Sequence, residues 1–211
     1  MTIAATNTIF LVDDDHVVRE SVQNLLRSVG HIVEGFPSVE DCLERLQMES
    51  PAVLVLDVRL PGVSGLEFQR RLRSADDRIP VIFVSGYGDI PITVQAMKDG
   101  ALDFLTKPFR DQAFLDAVQQ ALEVSEVYRV EMRGLAQVQG AYESLSQRER
   151  QIMGLVIQGK INKQIGASIG ISEVTVKVHR AHMMRKMNAC NLADLVRMGD
   201  RLGLPSPGPF G

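Results

Sequence analysis

The run Val53-Leu54-Val55-Leu56-Asp57, turned out by Pro61-Gly62, constrains this chain more than any other stretch. Four apolar residues in succession, two of them β-branched, predict a strand buried on both faces, as in a parallel sheet covered by helices. In open sheets of that kind the ligand crevice lies beyond the carboxyl ends of the strands, so a strand ending on aspartate presents a carboxylate to chemistry. Alone, Asp57 could equally be a residue that starts the turn. Three other runs shift the balance. Ile9-Phe10-Leu11-Val12 ends in Asp13-Asp14-Asp15, Val81-Ile82-Phe83-Val84 ends in Ser85-Gly86, and Leu102-Asp103-Phe104-Leu105 leads into Thr106-Lys107-Pro108. All read as buried strands, and each delivers a polar group to one edge. Carboxylates, a hydroxyl and a lysine gathered there make a hard-oxygen site for Mg²⁺ beside a phosphoryl group.

Between the strands, apolar residues recur at intervals of three and four. Val17, Val18, Val22, Leu25, Leu26 and Val29 predict a helix that stops at Gly30. Ile32 to Phe36 reads as another strand, and further helices run through Val39, Leu43 and Leu46, through Leu66, Phe68 and Leu72, from Pro91 to Gly100, and from Asp111 to Leu122. Five strand-helix alternations predict an α/β doubly wound, five-stranded parallel sheet over residues 1 to 122. Helical spacing continues through Leu135, Val138, Tyr142 and Leu145. It predicts a helical linker over 123 to 143 that can pair with itself in a dimer, although Gly134 and Gly140 weaken it by about 1 kcal/mol each.

From residue 144 the elements are short helices. Ser146 and Glu149 have capping-box spacing, Gly159 closes the helix they open, and Asn162 to Ile169 forms a second. Gly170-Ile171 turns into Ser172, an N-cap for a third helix from Glu173 to Met187, and a fourth opens at Asn191. Short helix, glycine turn and basic helix predict an all-α helix-turn-helix domain over 144 to 202. Gly203 to Gly211, rich in glycine and proline, predicts a disordered tail.

Charge divides along the same boundary. Residues 1 to 120 hold 11 Lys+Arg against 18 Asp+Glu, and residues 145 to 211 hold 10 against 4, so only the back part suits a polyanion. On the third helix Val176, His179, Met183 and Met187 share one face and read as core. Lys177, Val178 and Ala181 face the other way, toward base edges or a thymine methyl. Lys163, Arg180, Arg185 and Lys186 are candidates for phosphate contacts. Cys42 and Cys190 fall in separate modules, which gives neither a disulfide framework nor a metal spacing. Met1 to Asn7 lacks a basic and apolar leader pattern, and no run reaches the roughly 18 to 20 apolar residues of a membrane span, so a cytoplasmic protein without membrane contact is expected.

Asp13-Asp14, Asp57, Ser85 and Lys107-Pro108, with Phe104 three before the lysine, resemble the receiver domain of two-component response regulators across residues 7 to 122. The resemblance implies a flavodoxin-like, CheY-like fold with Asp57 as phosphoacceptor. Asp14, Asp57 and the backbone carbonyl of Arg59 would hold Mg²⁺, with Asp13 acting through a metal-bound water. Ser85 and Lys107 would bind phosphoryl oxygens. Phe104, where many members carry Tyr, and Tyr87 would form the switch. Leu145-Ser146-Gln147-Arg148-Glu149, Asn162-Lys163-Gln164-Ile165 and Thr175-Val176-Lys177-Val178-His179 resemble the LuxR-type DNA-binding domain, which adds Thr175 to the DNA-facing residues. Two departures stand out: Gly166 replaces a more usual Ala, which questions local stability, and Ala181 lies where some relatives place a base-reaching lysine.

The whole chain is similar to the NarL/FixJ regulators. That implies a regulator, not an enzyme, which accepts a phosphoryl group from a sensor histidine kinase, forms a homodimer on phosphorylation and binds promoter DNA, with RNA polymerase as a further partner. In the resting state the acidic front would dock over the basic recognition helix. Two other readings remain open on the residues alone: a Mg-dependent phosphohydrolase, and a phosphorylation-controlled module whose helix-turn-helix holds a protein.

Overall fold

Three of the apolar runs, those ahead of Asp13, at Asp57 and ahead of Ser85, lie at the centre of a sheet. In the computed structural model, which describes residues 8–46, 52–74, 78–86 and 90–205, β1 (Thr8–Val12), β3 (Val53–Asp57) and β4 (Val81–Ser85) are buried along their whole length. β2 (Ile32–Phe36) and β5 (Asp103–Thr106) complete a parallel sheet of order β2-β1-β3-β4-β5. β5 was expected as a buried strand but is only half-buried. Among the described residues β4 is its sole strand neighbour, which makes β5 an edge strand. Strand order reverses between β1 and β3, and the ends of those two strands therefore flank the topological switch point where open α/β sheets bind ligands.

Successive strand residues take opposite faces. Ile9, Leu11, Val53, Val55, Ile82 and Val84 pack with Val22 and Leu26 of α1 (His16–Ser28) and with Phe114 and Val118 of α5 (Asp111–Glu143). Phe10, Val12, Leu54, Leu56 and Phe83 pack on the other face with α2 (Val39–Leu46), α3 (Gly65–Ser74) and α4 (Ile90–Lys98) through Cys42, Phe68 and Ala96.

α5 is one helix of 33 residues, helical through Gly134 and Gly140. The chain divides into two compact units within it, between Arg129 and Val130. The second unit comprises the end of α5 with α6 (Gln147–Ile157), α7 (Asn162–Ile169), α8 (Glu173–Lys186) and α9 (Leu192–Arg201). Its core gathers Ile152, Met153, Ile165, Val176, Met183 and Leu195, and takes in Val138 and Tyr142 before residue 144 and Leu204 after residue 202. Packing thus begins earlier than the helix-turn-helix pattern does and reaches into the first residues of the expected tail; the rest of that tail, 206–211, lies outside the described residues. Among the described residues no helix is long and apolar enough to cross a membrane.

Candidate functional site

At the switch point the strand ends bring together what the sequence kept far apart. Asp13 follows β1 and is fully buried, Asp57 ends β3 at 7% exposure, and Asp14 is exposed. One carboxylate oxygen from each lies within 4.8 Å of the others. Lys107, just after β5, places its Nζ 2.6 Å from Asp13 Oδ2 and 2.6 Å from Asp57 Oδ2. The Lys107 backbone N–H donates to the Ser85 carbonyl at 2.8 Å, which ties the lysine's segment to the end of β4, where the Ser85 side chain is buried. The other Asp57 oxygen accepts from the Arg59 N–H at 2.9 Å.

These distances set the electrostatics. Burial raises the Asp13 pKa above the usual aspartate value and the neighbouring Asp57 charge adds to this, although the hydrogen bond and charge of Lys107 oppose it. Burial would lower the Lys107 ammonium, but its hydrogen bonds to Asp13 and Asp57 outweigh that, and its pKa is raised. Two carboxylates share one ammonium here, and that of Asp14 beside them is open to solvent. A donor set of hard oxygens with surplus negative charge fits a divalent cation.

Two residues at this site escaped the sequence reading. Asp15 reads in the sequence as one more strand-end acid, yet its carboxylate caps α1, accepting from Val17 N and Val18 N at 2.8 and 3.2 Å. Arg19, one turn into α1, donates to the Asp13 carbonyl at 2.6 Å and braces the acidic turn. An aspartate directly before the start of the first helix was the available signal for the first; nothing in the sequence marked the second. Phe104 is half-buried on β5, its ring centroid 6.1 Å from that of Phe83. Tyr87 lies outside the described residues.

In the second unit the helix-turn-helix is built as the sequence indicates. Ser146 and Glu149 form a capping box at the start of α6. Gly170 turns left-handed at φ +70° after α7, and Ser172 caps α8 by accepting from Thr175 N. Gly166, expected as a weak point, sits where the chain returns closely on itself: a Cβ there would lie 2.7 Å from the Ile171 carbonyl oxygen.

The cations divide by environment. Lys163, Ala181 and Arg185 are exposed, Val178 is 49% exposed, and Lys177 is exposed beside Glu173 at 3.5 Å. The Thr175 hydroxyl is 2.8 Å from that of Ser172. Arg180, expected at phosphates, is half-buried and donates to Asn162 Oδ1 at 3.1 Å, joining α8 to the start of α7. Lys186, also expected at phosphates, instead reaches Glu149 at 2.7 Å and the Ser144 carbonyl at 3.3 Å. The Lys186 hydrogen bond, aided by the Ser146 contacts and opposed by burial, lowers the Glu149 pKa to about 2. Sequence could show the capping box but not that its glutamate would be anchored from 37 residues away.

The description "response regulator receiver domain" matches residues 9–119, and "bacterial regulatory proteins, luxR family" matches residues 143–199. The chain belongs to the NarL/FixJ family of response regulators. It is 49% identical to nodulation protein W of Bradyrhizobium diazoefficiens over 204 residues, 96% of this chain and 90% of that protein. It is 39% identical to transcriptional regulatory protein FixJ of Rhizobium meliloti, over 90% of this chain and 94% of that one. A solved structure of response regulator StyR is similar at 45% identity and a TM-score of 0.74, covering 92% of this chain and 98% of that one. Full-length FixJ from B. japonicum is similar at 36% identity and a TM-score of 0.57, covering 96% and 100%. A receiver joined to a LuxR-type domain makes this response regulator a DNA-binding transcriptional regulator controlled by phosphorylation.

Proposed function

We propose that Asp57 is the residue phosphorylated and that a sensor histidine kinase supplies the phosphoryl group. The observation that carries this is the Lys107 ammonium held 2.6 Å from both Asp13 and Asp57 at the switch point. An Asp57 oxygen attacks phosphorus, the bond from phosphorus to the donor nitrogen breaks, and the donor leaves with that electron pair. Aspartate and phosphoryl group are both anionic, so the barrier falls only as far as their charge is neutralised in place. Lys107 is positioned to exchange its Asp57 contact for a phosphoryl oxygen while keeping Asp13, and the Ser85 hydroxyl takes a second oxygen. Asp14, Asp57 and the Arg59 carbonyl, with Asp13 through water, would hold Mg²⁺, which supplies the remaining positive charge. Phe104, half-buried beside Phe83, follows Ser85 and transmits the change along β5.

The readout is DNA binding as a homodimer. On α4, Ile90 is 80% exposed, Val94 45% and Met97 44%, an apolar surface suited to pairing once the phosphorylated state is populated. In α8 and α7, Lys177, Val178 and Ala181 read bases, while Lys163 and Arg185 contact phosphates, Thr175 standing beside them at the helix start. RNA polymerase completes the set of partners, in a cytoplasmic protein.

Asp57→Asn tests the reading: it should abolish acid-labile, Mg²⁺-dependent labelling by a phosphodonor, because the amide is no nucleophile. Full labelling of the variant would reject Asp57, and multiple turnover on small phosphate esters would favour a phosphohydrolase instead.

A further inference from the structure

Of the three acidic residues gathered at the switch point, Asp14 has the least to hold its side chain. Asp13 is tied through both carboxylate oxygens, Oδ2 to Lys107 at 2.6 Å and Oδ1 to the Asp15 N–H at 3.0 Å. Its own N–H donates to the Phe36 carbonyl at the end of β2 at 3.1 Å. Asp57 is fixed by Lys107 and by the Arg59 N–H. Asp14 is exposed and stands outside the Lys107 pairing, so its carboxylate goes where its backbone directs it.

One group holds that backbone from both sides. Arg19 Nη1 donates to the Asp13 carbonyl at 2.6 Å and, at a longer 3.4 Å, to the Asp14 carbonyl. These carbonyls belong to the two planar peptide units that flank the Asp14 Cα, so holding both restrains the two soft backbone torsions of Asp14. Arg19 is half-buried in the first turn of α1, where its N–H donates to the Asp15 carbonyl at 2.9 Å.

A glycine on another element makes room for the Arg19 stem. A Cβ at Gly35, inside β2, would lie 3.1 Å from Arg19 Cγ and 2.7 Å from Gln23 Nε2. Gly35 is not among the glycines of positive φ, so the position uses the absence of a side chain and not the conformational freedom. Glycine weakens a strand interior and marks a close approach, here that of α1 to β2.

We propose that Arg19, seated over Gly35, is a positioning residue of the cation site: by restraining the Asp14 backbone it raises the affinity for Mg²⁺, although its own charge repels the ion. This rests on the assignment of Asp14 to the metal set. Charge and position act in opposite directions, which makes the sign decisive. Through charge alone, removing the guanidinium would relieve repulsion and tighten Mg²⁺ binding. Through position, removing it frees the Asp14 torsions and binding weakens, as it does when other groups that orient metal ligands are lost.

Mg²⁺ is titrated into the full chain and into Arg19→Met at constant ionic strength, with the amide resonances of Asp57 and Arg59 followed. The dissociation constant should rise about tenfold in the variant. In single-turnover labelling of Asp57, the Mg²⁺ concentration at half-maximal rate should rise by the same factor, while the rate at saturating Mg²⁺ stays within about threefold and shows that the receiver is folded. Gly35→Ala, whose Cβ presses on the Arg19 stem, should weaken Mg²⁺ by about threefold alone and by nothing further in Arg19→Met, because the two residues form one support. Unchanged or tighter Mg²⁺ binding in either single variant would overturn the proposal. So would additive losses in the double variant, or a maximal rate that falls while the half-saturating concentration stays put. A different pattern marks failure of the metal assignment itself, which takes the proposal with it: no saturable shift in the unsubstituted chain, or undiminished Mg²⁺ binding in Asp14→Asn.

Discussion

The two ends of this protein use charge in opposite ways. At the receiver edge, Asp13, Asp57 and Lys107 are buried or half-buried, converge from the ends of separate strands, and touch one another: Lys107 bonds both Asp13 and Asp57. On α7 and α8 the cations are spread along the helices, and their neighbours set them apart. Lys186 is held by Glu149, Arg180 by Asn162, and Lys163 and Arg185 stand exposed. A buried site fixes a residue's role by its position in the fold. An exposed one leaves that role to local competition among similar side chains.

The sharpest way to break this contrast is Lys107→Ala. If the buried ammonium neutralises the transferred group, phosphoryl transfer to Asp57 should slow by about 10²–10³, the cost of losing one preorganised charge in a catalytic site. Single-turnover labelling at saturating Mg²⁺ measures it. A loss under tenfold would mean that the other groups neutralise the site without Lys107, and the contrast with the dispersed cations of α7 and α8 would dissolve.

Next in size are effects on DNA. Lys177→Ala should change the preferred sequence by about 1–3 kcal/mol at one position, whereas Lys163→Ala should weaken all sites alike and lower the salt slope by about one. Competition binding at several salt concentrations separates the two. Equal loss on every DNA with Lys177→Ala would make that lysine another phosphate contact.

The same contrast explains what could be read from the sequence. β1, β3 and β4 were legible because runs of buried β-branched and aliphatic residues leave few alternatives, and the polar residue after each run could only reach the shared edge. The helix ends were legible where a cap has its own grammar, as at Ser146, Ser172 and Gly170. The half-burial of β5 was legible only in part: Asp103 already sets Leu102 to Leu105 apart from the fully apolar central runs, and the strand order shows its open edge. The packing of Val138, Tyr142 and Leu204 into the second unit was not legible, since helical spacing shows that a residue is on a face but not which core that face meets. Arg180 and Lys186 look like Lys163 in sequence, and long-range partners set them apart.

Glu149 and Lys186 allow that last point to be measured. The Glu149 pKa is lowered to about 2, so the pair contributes stability that is complete above the ordinary glutamate value near 4.5 and is lost as pH falls from there toward about 2. Lys186→Met should cost about 2 kcal/mol at neutral pH, between the values for exposed and buried pairs because Lys186 keeps 40% of its side-chain exposure. It should also flatten the acid limb of the stability profile. Thermal unfolding of the second unit between pH 2 and 7 checks both, and an unchanged acid limb would return Lys186 to the pool of phosphate contacts.

Gly166→Ala has the smallest expected effect, and its sign is what matters. On helix propensity alone, alanine within α7 should stabilise by about 1 kcal/mol. Against this, the added Cβ would stand 2.7 Å from the Ile171 carbonyl oxygen, a backbone atom that cannot rotate aside as a side chain would. The Ile171 N–H in turn donates to the Gly166 carbonyl at 3.1 Å, so the turn is fastened to the residue that would push it away. Relief requires moving Ile171 and with it Ser172, the N-cap of α8, whose side chain accepts from Thr175 N at 3.1 Å. Strain of that kind costs about 1–3 kcal/mol and exceeds the propensity gain. The variant should therefore melt lower by a few degrees, about 1 kcal/mol net, and bind DNA less tightly because the helix bearing Lys177 and Val178 starts from a displaced cap. A variant that melts higher would show that the turn has slack, and that α8 is positioned by its buried face at Val176 and Met183 without help from the close approach at Gly166.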